Sequence, residues 1–341
     1  MEHSLSRCLV GLRLFILLCL SIPIPVAAHH SHAEFSNETK ELFGVLESIV
    51  WRNPHPAMIL RVAAADGDDE IWRIQVQGNV NGLGREGVNG AQFSVGDRLR
   101  IAGHLSTRRP ELLLATRANY SDGTEIILGP DESTGSALYR GAASIEVLDE
   151  TEQDRGLFRV WTVASRFRVQ DLPLRNEARA AKAVWDSVID DPQRGCQPLG
   201  MPGAMMSPHP VEFRENGDDL LLLLEEWGAI RTIHMTRNDN PKTPTPSLLG
   251  FSTGRWEGAT LVVRTAYIDY PYMDEHGTPQ SEAAEIVERF SLSDDGHSLD
   301  WSATVTDPGV FREPVVVFTT RWDWIPGEEI QVYDCQEVDR S

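Results

Sequence analysis

The chain is short of positive charge. Its 341 residues hold 31 Lys and Arg against 51 Asp and Glu, a formal net charge of −20. So acidic a surface repels phosphate backbones and anionic lipids, and neither nucleic acid nor a membrane surface is an expected partner. Lysine occurs only at positions 40, 182 and 242, a scarcity that is given no functional weight. Cysteine is scarce too, four in all, and none stands in a C-x-x-C or other zinc spacing. The sequence has no nucleophile elbow, phosphate loop, dinucleotide fingerprint or H-E-x-x-H motif, which removes the commonest signatures of hydrolase, nucleotide and metalloprotease chemistry.

What is present begins with a leader. Arg7 and Arg13 precede an apolar run from Leu14 to Leu20, too short to span a bilayer as a helix. Pro23 and Pro25 then break the chain ahead of the small-residue site Val26-Ala27-Ala28. This order of basic region, apolar region and cleavage site is that of a secretory signal covering residues 1–28. Cys19 follows Leu18, where a lipoprotein would carry a small residue, so no lipid anchor is expected. Cleavage near Ala28 leaves a periplasmic or secreted protein of charge −21. Cys8 and Cys19 depart with the leader. Cys196 and Cys335 remain, and in an oxidising compartment they read as a disulfide, two buried thiols being the alternative.

Cleavage after Ala28 makes His29 the first residue of His29-His30-Ser31-His32. A free α-amino group and the Nδ1 of the same residue close a six-membered chelate on one ion, and imidazole-rich sites suit copper, zinc and nickel. The terminus resembles the copper-binding N-terminal histidine of lytic polysaccharide monooxygenases and periplasmic copper carriers, at this end of the chain alone. His55, in the turn Asn53-Pro54-His55-Pro56, is the expected further ligand, with His30, His32 or His104 beside it. The competing reading is an ordinary solvated terminus and a surface turn.

The rest of the chain reads as mainly β. Strands are expected at Leu42 to Trp51, Ala57 to Ala64, Ile71 to Gln77, Arg98 to Leu105 and Leu112 to Tyr120, with a short helix at Val80 to Arg85. That order is the order of a small OB-like Greek-key barrel, placed at residues 29–130. Nucleic acid is not its expected ligand, since a basic groove interleaved with aromatics is missing. Residues 131–156 read as a linker with a docked segment at Ala142 to Leu148. From 157 to 341, strands at Leu157 to Phe167, Val211 to Glu215, Leu220 to Glu226, Ile230 to Met235, Ala259 to Tyr267, Ile286 to Leu292, Ser298 to Thr306, Val315 to Trp324 and Ile330 to Asp334 suggest an antiparallel meander closed into a barrel or curved sheet. One helix, Glu177 to Ile189 capped by Asn176, interrupts them. Gly254-Arg255-Trp256 reads as a turn with a packed tryptophan.

Several motifs together carry a resemblance. His29-His30-Ser31, Trp51-Arg52-Asn53-Pro54-His55, Val95-Gly96-Asp97 and Ile101-Ala102-Gly103 are similar to a family of secreted bacterial proteins of unknown function. Its members begin the mature chain with HHS and an aromatic residue and carry a W-x-N-P-H turn; here His32 stands where the aromatic is usual. Arg194-Gly195-Cys196-Gln197-Pro198-Leu199-Gly200-Met201-Pro202, Gly254-Arg255-Trp256-Glu257-Gly258 and Glu288-Arg289-Phe290 resemble the C-terminal region of longer members. The resemblance implies no particular chemistry.

A second constellation is Tyr270-Pro271-Tyr272-Met273-Asp274-Glu275-His276-Gly277, followed by Glu288. Asp274, His276 and Glu288 at a barrel mouth are suited to acid/base catalysis if burial brings their pKa values toward neutrality; a polar turn and an ion pair are the plainer reading. His209, between Pro208 and Pro210, is a further rim candidate. Three functions follow in order: a non-enzymatic binding protein for a copper-like ion, a small apolar ligand or both; an enzyme using that carboxylate/histidine cluster; and a scaffold for a protein partner in a periplasmic complex.

Overall fold

The structure is a computed structural model in which residues 34–64, 67–129, 155–235 and 244–335 are described. The expected leader, residues 1–28, then His29, His30 and His32, and the expected segment Ala142 to Leu148 lie outside them.

The first sheet is organised by β1 (Phe35–Val50), which begins seven residues before the hydrophobic alternation predicts. One half pairs with β4 (Arg98–Ser106) and the other with β2 (Ala57–Val62), so a single strand serves two neighbours and its early, polar half is fixed by a partner distant in sequence. β3 (Glu70–Val76) continues from β2, and its parallel pairing with β5 (Leu112–Tyr120), from Arg73↔Leu112 to Val76↔Ala115, closes the ring β1-β2-β3-β5-β4. That is the OB-like order. A short β6 (Glu125–Ile127) adds to β5. Alternation puts Leu42, Leu46, Met58, Leu60, Ile74, Leu99, Ile101 and Leu113 inside. Gly103 is required by the close approach of β5: a Cβ there would lie 2.0 Å from the carbonyl oxygen of Leu114. Helix α1 (Val80–Arg85) starts where Asn79 accepts the N–H of Gly82 at 2.7 Å, and it seats Leu83 in the core.

The second sheet is a closed barrel of nine strands, β7 (Val160–Arg168), β8 (Val211–Asn216), β9 (Asp219–Leu224), β10 (Ala229–His234), β11 (Phe251–Glu257), β12 (Thr260–Ala266), β13 (Glu285–Leu292), β14 (Ser298–Thr306) and β15 (Val315–Asp323). A closed ring of odd number cannot alternate direction throughout. The one parallel seam is β10–β11, at Ile233↔Ser252 and His234↔Thr253, and all other pairs are antiparallel. Large side chains fill the interior: Phe213 and Phe290 meet edge to face at 5.2 Å, and Trp301 and Trp322 lie 6.0 Å apart. Trp161 is fully buried with them.

Three expectations are corrected. Gly254-Arg255-Trp256 is no turn but the body of β11, whose hairpin to β12 bends at Gly258, and Trp256 is 46% exposed. Ile330 to Asp334 does not join the barrel as a strand; the segment runs as a strap to a bridge with Asn53. Helix α2 (Asn176–Ala183) ends six residues early, and Asn176 lies inside it without serving as a cap. Beyond Val184, Asp186 accepts the N–H of Val188 and Asp190 accepts that of Asp186, local bonds that replace helical ones. Arg108 of the β4–β5 loop also takes Asp186 in a two-pronged ion pair of 2.7 and 2.8 Å.

Cys196 and Cys335 form the disulfide, closing a loop of 139 residues and pinning the end of the strap. Cys196→Ser/Cys335→Ser is expected to lower stability by up to about 5 kcal/mol on chain-entropy grounds. Urea unfolding would read it, and an unchanged midpoint would show that the strap holds without its staple.

Candidate functional site

The N-P-H turn is where the two barrels meet. Asn53 is buried; its side chain accepts the N–H of Val80 at 2.9 Å and donates to Asn81 Oδ1 at 2.9 Å, tying the turn to the first residues of α1. Asn81 in turn donates to Glu225 Oε1 at 3.0 Å, in the turn after β9. Arg85, at the last turn of α1, forks onto the same carboxylate at 2.9 and 2.5 Å and reaches Glu328 at 2.8 Å. His209 Nδ1 lies 3.0 Å from Glu225 Oε1, and the N–H of Gln331 donates to Oε2 at 2.8 Å. Tyr333 sets its ring edge-on to His209 and Trp227, each at 5.1 Å.

Glu225 is fully buried. Burial alone would raise its pKa, but the bonds from His209, Arg85 and Gln331 outweigh it and hold the group at about 2. A carboxylate so occupied is a fastening, unsuited to proton exchange near neutrality. His209, a rim residue by sequence, is thus an interior one. The motif around Asn53 and the strap ending at Cys335 are parts of one hydrogen-bonded junction.

The predicted catalytic residues fall into two groups. Asp274 is buried in the β12–β13 connection, where Oδ1 accepts the N–H groups of His276 and Thr278 at 3.0 Å and Oδ2 accepts the Thr278 hydroxyl at 2.6 Å. Arg168 Nη1 lies 3.3 Å and Lys182 Nζ 3.8 Å away. Burial pushes the Asp274 pKa up, and Lys182, Thr278 and Arg168 more than reverse it, so the acid is held below its usual range. Burial pushes Lys182 down, opposed by Asp274. His276 turns its Nε2 toward Glu275 at 3.8 Å.

Glu288 sits on β13 inside the barrel, fully buried, with quite different partners. Arg231 of β10 meets it through both terminal nitrogens, at 3.0 Å for Nη1 to Oε1. Trp301 Nε1 donates to Oε1 at 3.1 Å and the Thr265 hydroxyl to Oε2 at 3.3 Å. Arg231 is completed by Ser252 at 2.9 Å and Thr265 at 2.5 Å. Asp274 therefore gathers Thr278, Lys182 and Arg168, while Glu288 gathers Arg231, Trp301 and Thr265. Arg231, Glu225 and Arg85 are not singled out by sequence, because the partner that each one needs lies far away in the chain.

The expected metal ligands sit differently. His55 is half-buried in the β1–β2 turn. Glu34, two residues after His32, is buried against the β4–β5 loop: Arg109 Nε donates to Oε2 at 3.0 Å, a second, closer contact comes from Nη2, and Thr107 gives its N–H and its hydroxyl to the Glu34 carbonyl at 2.7 Å each. Phe35 then pairs with Ser106. His104 lies two residues before Ser106 on the same strand, hence on the same face, and its Nδ1 is buried without a hydrogen-bond partner among the described residues. No group of three His, Cys, Asp or Glu side chains among the described residues is arranged to hold a metal ion, and no described helix is long and apolar enough to cross a membrane.

Residues 16–110 match a family of unknown function, DUF6152. The match takes in the apolar run before the histidine segment, that segment itself and the first barrel as far as the β4–β5 loop. The long form, with a β-rich C-terminal region, fits the nine-stranded barrel. No curated protein matches the chain.

Proposed function

We propose that the protein is an exported binding protein that carries a copper-like ion on its N-terminal histidine arm. The observation that supports this is the burial of Glu34. A frayed terminus has no use for a buried carboxylate tied to an arginine two residues after its last histidine, whereas a metal arm needs a fixed root. His29, with its α-amino group, supplies the chelate; His30 or His32 adds an imidazole; His104, on the strand beside the root, supplies a ligand from the barrel. His55 belongs to the other end of β1 and is the alternative fourth ligand. Orientation of each ligand by a second group is the usual design of such sites. The Cys196–Cys335 disulfide agrees with an oxidising compartment.

The test is calorimetric titration of leader-cleaved protein with Cu(II), followed by electron paramagnetic resonance. Binding at micromolar or tighter affinity is expected, with nitrogen hyperfine structure, and with its loss when residues 29–32 are removed. Arg109→Ala, which frees the root, is expected to weaken binding about tenfold, as outer-shell changes do. Tight binding that survives removal of residues 29–32 would dismiss the arm, and a first residue other than His29 in the exported protein would dismiss the chelate.

A further inference from the structure

An open groove of about 500 Å³ crosses the outer wall of the nine-stranded barrel, over β7, β15, β14 and β13. Strand register makes it. Phe167, Thr319, Ser302 and Arg289 stand opposite one another on these four strands, so a row that is long at both ends is short in the middle. The next outward row, in the same strand order, is Ser165, Arg321, Asp300 and Ser291. Residues two apart along a strand share a face, and Leu299, Trp301 and Ala303, which alternate with Asp300 and Ser302, belong to the core. Each strand thus gives the groove one hydroxyl. Those of Ser165, Thr319 and Ser302 make no hydrogen bond among the described residues, while that of Ser291 lies 3.0 Å from the Thr260 hydroxyl.

Walls and floor together select the occupant. Phe167 is 61% exposed and offers an apolar ring face at one end. The charges are already balanced: Arg321 forks onto Asp300 with both bonds at 2.8 Å, and Arg289 holds Glu257 at 3.0 Å. An anion would meet a carboxylate beside each arginine, and a cation would meet the arginines. A wholly apolar molecule would cover the hydroxyls without replacing their bonds to water, which costs free energy. What fits is uncharged, rich in hydroxyls and apolar on one face. A pyranose ring has all three properties, with C–H groups on its face for an aromatic ring and hydroxyls around its edge that both donate and accept. Size agrees, since small-molecule sites run from about 300 to 1,000 Å³. At roughly 30 Å³ per water-sized unit the groove takes about sixteen non-hydrogen atoms, one sugar ring and part of a second.

We propose that this groove binds a neutral saccharide of β-linked hexose units, with Phe167 stacked on one ring and the hydroxyls of Thr319 and Ser302 bonded to its edge. The Arg321–Asp300 pair supplies a donor and an acceptor already held in place, which limits the side-chain freedom lost on binding. The site lies on the second barrel, stands apart from the histidine arm and does not need it.

Saturation-transfer nuclear magnetic resonance of the full chain tests this with cellobiose as the probe, a disaccharide whose ring hydroxyls are equatorial and leave the ring faces apolar. Saturable transfer to its ring C–H protons is expected, and equally in a chain lacking residues 29–32. Phe167→Ala is expected to weaken binding about tenfold through the lost ring contact. Ser302→Arg, which raises the floor of the groove, is expected to abolish it. Both positions point away from the barrel core, and circular dichroism like that of the parent chain verifies that each variant keeps its fold. If Ser302→Arg does not fold, Phe167→Ala decides alone. Absence of saturable binding overturns the proposal, and so does binding that the folded variants leave unchanged. Displacement of cellobiose by an equal concentration of sodium sulfate would also overturn it, because the groove would then be an anion site.

Discussion

Glu225→Ala is expected to lower stability by about 3–5 kcal/mol, the usual penalty for removing one partner of a buried ion pair. Arg85 and His209 have side chains only 9% and 1% exposed; without the carboxylate His209 loses its partner and Arg85 keeps only Glu328 and the Glu329 carbonyl. The change also cuts the bond to Gln331, so the strap and α1 lose their shared acceptor. Two readouts separate these effects: thermal unfolding measures the cost, and small-angle scattering measures whether the barrels part while each remains folded. The pH dependence has a definite sign. The folded pKa of about 2 lies below the ordinary carboxylate value of about 4.3. The contribution of Glu225 is therefore fully present above about pH 4.5 and is lost as pH falls toward 2. Wild-type and Glu225→Ala chains should differ most at neutral pH and converge in acid. Parallel stability profiles from pH 7 to 2 would show that the carboxylate is not held as described.

The second large effect belongs to the pair inside the barrel. Arg231→Met or Glu288→Gln alone is expected to cost about 3–5 kcal/mol, because each strands an opposite charge at a position 2% or less exposed. The double variant R231M/E288Q is expected to recover most of that loss, returning to within about 1 kcal/mol of the parent chain. Its glutamine keeps a carbonyl for the Trp301 N–H, which bonds Glu288 Oε1 at 3.1 Å, and its amide NH2 can donate to the Thr265 hydroxyl oxygen that Arg231 has vacated. Urea unfolding of the four chains closes the cycle. A double variant as unstable as the sum of the singles would mean that Arg231 and Glu288 act independently, against the bidentate geometry. These two residues are thus read as internal fastenings of the barrel. Ser252 and Trp301, from β11 and β14, complete the group across the lumen.

The paths of Arg231 and Ile230 show where sequence reasoning stops. Both lie on β10, and alternation requires that one face the core. Arg231 shares its face with Ile233, which is fully buried, so the inward face carries an arginine at 2% exposure, and Ile230 on the opposite face is 59% exposed. What makes an inward arginine tolerable there is Glu288 on β13, fifty-seven residues away, which turns it from a cost into a partner. The same holds at the other end of the scale for β1, whose first half carries no alternation strong enough to be seen and becomes a strand because β4 lies beside it. Trp256 and helix α2 err in the opposite direction, toward too much packing and too much helix. For Trp256 the deciding contact is tertiary, the β11–β12 register; for α2 it is local, the bonds of Asp186 and Asp190 to the backbone beyond Val184.

The residues alone determined that this chain is mainly β, that an OB-like barrel precedes a larger barrel, and that Cys196 and Cys335 have each other to bond. Those conclusions depend on period-two alternation, on turn residues and on cysteine count, all of which are local or arithmetical. Only the tertiary structure decided that the N-P-H turn and the C-terminal strap meet at Glu225, that Asp274 and Glu288 serve separate groups, and that an odd ring of nine strands closes through a parallel seam. The reason is that a buried charge is tolerable only beside its partner, and the partner's position is set by how the strands are paired in space.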